Sequence, residues 1–162
     1  MNRLISDNLI ESLLGQLSHE KFNANLYLYI AGYLKNKGLN NLAKHFMDQH
    51  DEETEHSLII FNLLTDLSAN IIINEINEVS IPINYISDIA KAYLDREILT
   101  TESLNEIKNQ AIEENNPVVE ERMREMIKLQ QNEYAEATDF MDKSILIGDD
   151  WKFALLWDLG VD

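Results

Sequence analysis

The 162 residues suffice for one domain with a continuous core, and the absence of cysteine excludes disulfides, thiolate metal sites and cysteine nucleophiles. Lys and Arg number 13 against 29 Asp and Glu, and a net charge of −16 repels phosphate backbones, arguing against nucleic acid, while it attracts cations as well as aiding solubility. No run reaches the roughly 18 apolar residues of a membrane span, and the opening segment Met1 to Asp7 lacks the apolar stretch and cleavage site of a signal peptide, so a soluble cytoplasmic protein is expected.

Five Gly and two Pro leave long stretches unbroken, and apolar residues recur every three or four positions, which is the helical period. The first helix, α1, is predicted over about 7–35, with Ser6 or Asp7 as N-cap and Gly38 just past its end. A second, α2, runs over about 39–67. The β-branched stretch 68–84 contains Pro82 and carries no helical stripe, so it reads as a connection. Helix α3 follows over about 86–114, capped by Asn84 or Ser87. Pro117 opens α4 at about 117–146, Gly148 ends it, and a short α5 over about 149–159 carries Trp151, Phe153, Leu155, Leu156 and Trp157. The expected architecture is all-α, a single domain over 1–162 built as a four-helix bundle over about 7–146 plus a short fifth helix. Short α1–α2 and α3–α4 turns make those pairs antiparallel. The connection of about 17 residues between α2 and α3 is long enough, at about 3.3 Å per residue, to run the length of the bundle and make those two helices parallel.

The residues on each buried stripe carry the functional information. On α1 the stripe is Ile10, Leu13, Leu17, Glu20, Ala24, Tyr27, Ala31, Leu34; on α2 it is Leu42, Phe46, Gln49, Glu53, His56, Ile60, Leu63, Leu67. On α3 it is Ile86, Ala90, Tyr93, Glu97, Thr100, Leu104, Ile107, Ala111, and on α4 Val119, Met123, Met126, Gln130, Glu133, Ala137, Phe140, Ser144. Each stripe is apolar towards its ends and polar in its middle. One glutamate on a wide helix face is unremarked chemistry, but here every helix contributes one. A carboxylate in a core costs several kcal/mol unless it is paired or ligates a cation, and the stripes contain no Lys or Arg.

Parallel α2 and α3 would bring the four glutamates to a similar level, and an antiparallel pair would do so nearly as well. Glu20 and Glu53 are centred on the turn at 36–40, and Glu97 and Glu133 on the turn at 114–116, so each pair faces across an antiparallel hairpin. Glu53-Thr54-Glu55-His56 sets a carboxylate and an imidazole one turn apart on one face. By itself that tetrapeptide is a weak signal, and a lone His56 is as well read as a satisfied core histidine; within this constellation it reads as a metal ligand. His19, His45 and His50 lie off the stripes and read as surface residues.

With these residues in place the chain resembles the bacterial non-haem ferritins over essentially its whole length. The resemblance implies a ferritin-like fold in which Glu20, Glu53 and His56 bind a first iron, and a bridging Glu53 binds a second with Glu97 and Glu133. Gln130 would stand at the second iron, and Tyr27 would hydrogen-bond a ligand or buffer an oxidising equivalent. Rubrerythrins and bacterioferritins carry a second Glu-x-x-His on the fourth helix, where this chain has Gln130-Gln131-Asn132-Glu133, and bacterioferritins hold haem through a methionine where this chain has Thr54, so no haem is expected. Glu52 and Glu133 match part of a third iron site known in some bacterial ferritins, but Leu129 and Asn132 replace two of its acids, which weakens or removes it.

The implied activity is oxidation of Fe²⁺ to Fe³⁺ by dioxygen or peroxide, with storage as mineral inside a twenty-four-subunit homo-oligomeric shell whose fifth helices meet around fourfold axes. Hard oxygen ligands suit iron and also Mn or Mg, and the single imidazole adds affinity for Fe and Zn. Two other readings are a dinuclear oxidase or peroxidase without a shell, and a helical interaction module in which any metal is structural.

Overall fold

The computed structural model describes residues 4–160; Met1, Asn2 and Arg3 of the opening segment, and the last two residues, lie outside it. Five helices follow in order: α1 Asp7–Asn36, α2 Asn40–Asp66, α3 Ile86–Glu113, α4 Pro117–Ile147 and α5 Trp151–Gly160. Each matches its predicted element to within a residue or two at either end. None is long and apolar enough to cross a membrane.

Local chemistry sets the helix ends. The Ser6 hydroxyl accepts the Leu9 N–H at 3.1 Å and starts α1. Asn116 does the same for Val119 at 3.1 Å, with Pro117 in the first turn of α4. Helix α3 is started differently from expectation. Neither Asn84 nor Ser87 caps it; the Asp88 carboxylate reaches back to accept the N–H groups of Asn84 and Tyr85 at 2.8 and 2.9 Å. Between α1 and α2 the chain reverses at Gly38, whose φ of +80° lets the Leu39 N–H return to the Leu34 carbonyl. Asn115 takes the equivalent left-handed position between α3 and α4, with the Asn116 N–H on the Ala111 carbonyl.

Helix α1 packs chiefly on α2 and α3 on α4, with α1 meeting α3 across the bundle. Leu39, Leu42, Ile86 and Ile89 share one apolar cluster, while Leu63, Leu67, Ile107 and Ala111 share another at the opposite end. Helices α2 and α3 therefore run parallel, and the crossover travels the length of the bundle. It lies along α1, where the hydroxyls of Tyr29 and Tyr33 donate to the carbonyls of Ile81 and Ile83, each at 3.1 Å. This second covering explains why α1 buries a wider face than its stripe: Leu14, Gln16, Asn23, Leu26 and Ile30 are all inside, and Leu9 takes the core place expected of Ile10. On α2, α3 and α4 every predicted stripe residue is buried.

The two apolar clusters leave a polar layer between them at mid-height. Helix α5 closes the end away from the chain's start. Trp151 donates its indole N–H to the Asn84 carbonyl at 3.0 Å and lies under the Lys37 ammonium, and Trp157 packs on Phe140 with ring centroids 4.6 Å apart. Its other face, with Phe153, Leu155, Leu156 and Leu159, is exposed.

Asp158 on α5 is buried, and its carboxylate accepts the Leu42 N–H at 2.8 Å while its carbonyl accepts from the Asn41 amide at 2.9 Å. Helix α2 has no capping side chain of its own at Leu39, so an aspartate 116 residues away supplies both the acceptor and the negative charge its N-terminus favours. Replacing Asp158 by Ala is expected to cost about 1 kcal/mol, the usual range for a lost cap, read as a thermal midpoint a few degrees lower. Asp149→Ala on the exposed turn should leave the midpoint unchanged; equal behaviour of the two variants would contradict the capping role.

Candidate metal centre

Glu20 comes from α1, Glu53 and His56 from successive turns of α2, Glu97 from α3, and Gln130 and Glu133 from successive turns of α4. All six are buried, and Glu20, Glu53 and Glu97 are wholly inaccessible. Glu20, Glu53 and His56 each offer a ligand atom within 4.8 Å of the other two, and Glu53, Glu97 and Glu133 do the same. Glu53 belongs to both groups, so the two places for a cation are adjacent and share one carboxylate. The His56 ring joins the groups from above: its Nδ1 is 3.8 Å from Glu53 Oε2 and its Nε2 is 3.5 Å from Glu133 Oε1.

The hydrogen bonds divide the carboxylate oxygens unequally. Both oxygens of Glu97 are held, one by the Tyr27 hydroxyl and the other by Gln130 Nε2 at 2.6 Å. Glu20 has Oε1 held by Gln16 Nε2 at 2.7 Å and Oε2 without a partner. Among the described residues no N–H or O–H donor reaches either oxygen of Glu53 or Oε2 of Glu133, whose near neighbours are other carboxyls. Buried polar atoms are ordinarily satisfied, and four unpartnered carboxylate oxygens converging on one layer fit a set of hard oxygen donors with one imidazole. The residues present therefore suit a pair of divalent cations.

Electrostatics agree. Burial pushes the Glu53 carboxyl well above the ordinary carboxylate range, and Glu20, Glu97 and Glu133 add repulsion. Glu97 is raised by burial too, with the hydrogen bonds from Tyr27 and Gln130 holding it back. Glu133 is raised by burial, then by Glu97 and Glu52. Tyr27 is pushed up by burial and by Glu97, which keeps its phenol protonated as a donor. It sits in an aromatic box, edge-on to Tyr93 at 5.3 Å and tilted on Phe46 at 6.0 Å.

Glu52 belongs to neither group; it is exposed on α2, close enough to raise the Glu133 carboxyl, while Glu136 beside it accepts from the buried Gln49 amide at 3.1 Å. Other expectations need correcting. His19, His45 and His50 are half-buried, not solvated surface residues. His45 stacks on Phe140 at 5.8 Å, and His50 Nδ1 lies 2.7 Å from the Ala24 carbonyl. His19 lies between α1 and α3, with Arg96 donating to its Nδ1 at 2.8 Å and its Nε2 2.5 Å from Thr100 Oγ1; burial and the neighbouring guanidinium hold its pKa down at about 4, so it is neutral. Arg96 also donates to Asn23 Oδ1 at 2.6 Å and covers the Phe22 ring. The stripes held no cation, yet this half-buried guanidinium lies near enough for the charges of Glu53, Glu20 and Glu97 to act on it. Its partners are off-stripe residues of another helix, so no spacing rule signals it.

The raised carboxyls fix a pH dependence. Glu53, Glu97 and Glu133 bind protons more tightly in the fold than at their ordinary value of 4.5. Their contribution to stability is therefore full below about 4.5 and is lost as the pH rises through their folded values. Chelator-treated protein should melt lower at pH 8 than at pH 6, and the slope should flatten in the triple variant Glu53→Gln, Glu97→Gln, Glu133→Gln. Saturating Zn²⁺, which displaces those protons, should stabilise more at pH 8 than at pH 6. A triple variant with an unchanged slope in calorimetry would contradict this.

The model of the ferritin-like domain family matches residues 10–146. The "Probable bacterial non-heme ferritin-like protein" of Haemophilus influenzae is 23% identical over 155 residues, covering 96% of this chain and 94% of that one. The "Bacterial non-heme ferritin" of Staphylococcus aureus is 33% identical over 92 residues, 57% of this chain and 54% of its own length. Among solved structures, an open pore ferritin of the archaeon Archaeoglobus fulgidus superposes with a TM-score of 0.91 at 24% identity, covering 97% of both chains. The ferritin of Chlorobium tepidum superposes at 0.86 and 19% identity, covering 96% of this chain and 94% of its own. With the family model spanning all four long helices, this chain belongs to the family of ferritin-like domains.

Proposed function

We propose that this protein is a ferroxidase and iron store of the cytoplasm. Fe²⁺ binds as substrate in two places, one formed by Glu20, Glu53 and His56, the other by Glu53, Glu97 and Glu133. Two such ions sharing a carboxylate give up one electron each, together, to a single dioxygen or peroxide. The observation that carries this reading is the sharing of Glu53 between two buried acidic groups, with both of its oxygens unpartnered.

The surrounding residues have assigned tasks in this scheme. Tyr27 and Gln130 hold Glu97 from two sides and keep it from swinging away. Gln130 stands where a further acid would add charge, so the ferric product is held less tightly and can move on. Storage is supported by the family, by relatives described as ferritins, and by the exposed apolar face of α5, which fits burial against other copies in a closed shell. The proposed shell has twenty-four subunits.

Aerobic addition of Fe²⁺ to purified protein, followed by ferric absorbance, tests the chemistry. Rapid oxidation of about two irons per chain is expected, as two adjacent cation places imply, with loss of that phase in a Glu53→Ala, His56→Ala variant; oxidation no faster than in buffer would refute it. Size-exclusion chromatography tests the store. The chain should elute as a particle far larger than one 18.8 kDa subunit, and Leu156→Glu on α5 should reduce its size. A dimer that oxidises iron would instead favour a dinuclear oxidase without a shell.

A further inference from the structure

Behind Glu20, on the side facing α3, lies a short chain of neutral donors that none of the assignments above uses. Gln16 is one turn before Glu20 on α1 and is 2% exposed. Its Nε2 donates to Glu20 Oε1 at 2.7 Å, and its Oε1 accepts from the Ser103 hydroxyl of α3 at 2.5 Å. The carboxylate decides which way round the amide stands, because a flip would set its oxygen against Glu20, while the Ser103 hydroxyl, which also lies 3.2 Å from the Thr100 carbonyl, can donate or accept and anchors the far end. Ser103 is half-buried and lines a pocket of about 310 Å³ between α1 and α3, together with Ser12, Gly15, His19, Glu106 and Gln110.

The consequence lies in the oxygens of Glu20. With Oε1 hydrogen-bonded to Gln16, Oε2 is the Glu20 oxygen without a partner. The carboxylates form a graded set, with both oxygens held on Glu97, one on Glu20 and none on Glu53. A carboxylate oxygen that accepts one hydrogen bond keeps a further lone pair for a cation, as Glu97 in the second group requires, so the effect of Gln16 on Glu20 is to fix the orientation of its carboxylate.

We infer that Gln16, anchored at its far end by Ser103, is a positioning residue that fixes the orientation of the Glu20 carboxylate and so sets the affinity of the first cation place. This rests on the metal-binding reading above. Gln16 touches no cation itself; it acts through Glu20, as outer partners of metal ligands do. The role depends on an i, i+4 contact along α1 and on a helix packed across from it, so it is specified partly by spacing and partly by the fold.

Co²⁺ titration of the chelator-treated full chain tests this, because the visible spectrum reports coordination number as well as binding. The unmodified chain should bind two Co²⁺ per chain. Gln16→Leu should weaken one of the two about tenfold, the low end for loss of an outer partner, and change the visible band as the freed Glu20 carboxylate reorients. Ser103→Ala keeps the amide but removes its second anchor, and should shift both readouts in the same direction by less. Should Gln16→Leu fail to fold, Ser103→Ala decides the matter alone. Two Co²⁺ bound by the unmodified chain, with affinity and spectrum identical in the folded variants, would overturn the positioning role and leave the metal reading intact. No Co²⁺ bound by the unmodified chain would overturn both.

Discussion

Carboxylates brought out of water and set side by side oppose folding twice, through lost hydration and through mutual repulsion. This bundle places Glu20, Glu53, Glu97 and Glu133 in one layer, with Glu53 surrounded by the other three. The chain's remaining features accommodate that layer. Apolar clusters above and below hold the helices at fixed height, protonation relieves part of the charge, and cations would relieve the rest. The site is thus one that folding tolerates and that bound cations would complete.

Neutral groups do most of the holding around that layer. Gln16, Gln130 and Tyr27 donate to the carboxylates without bringing a compensating charge. A lysine or arginine in their place would satisfy the acids internally and remove their reason to take a metal. Arg96 shows the compromise. It lies outside the layer between α1 and α3, bonded to Asn23 and His19 and resting on Phe22. From there it adds positive potential without occupying a carboxylate oxygen.

Helix α5 ties the end of the chain back to the start of α2. Its inner face packs Trp157 on Phe140 and presents Asp158 to the start of α2, the helix that carries Glu53 and His56. Its outer face exposes four large apolar residues. Helix α5 thus joins an exposed apolar face to the start of the helix that carries Glu53 and His56.

The period of the apolar residues sufficed to place four helices and to find the glutamates, because helical spacing is a local property. Short turns then fixed the level of each glutamate against its hairpin partner, and the length of the crossover allowed the parallel pairing that the apolar clusters display. What lay beyond the sequence was every contact made by residues off the stripes. The half-burial of His19, His45 and His50, the use of Leu9 in place of Ile10, and the link from Ser103 through Gln16 to Glu20 depend on which second surface a helix meets. Asp158 is the plainest case. In the sequence it is one acid among 29, and only the docking of α5 brings it to an uncapped helix more than a hundred residues earlier. Periodicity specifies which face of a helix is buried, but the partner that buries it is chosen by long-range packing, which no spacing along the chain encodes.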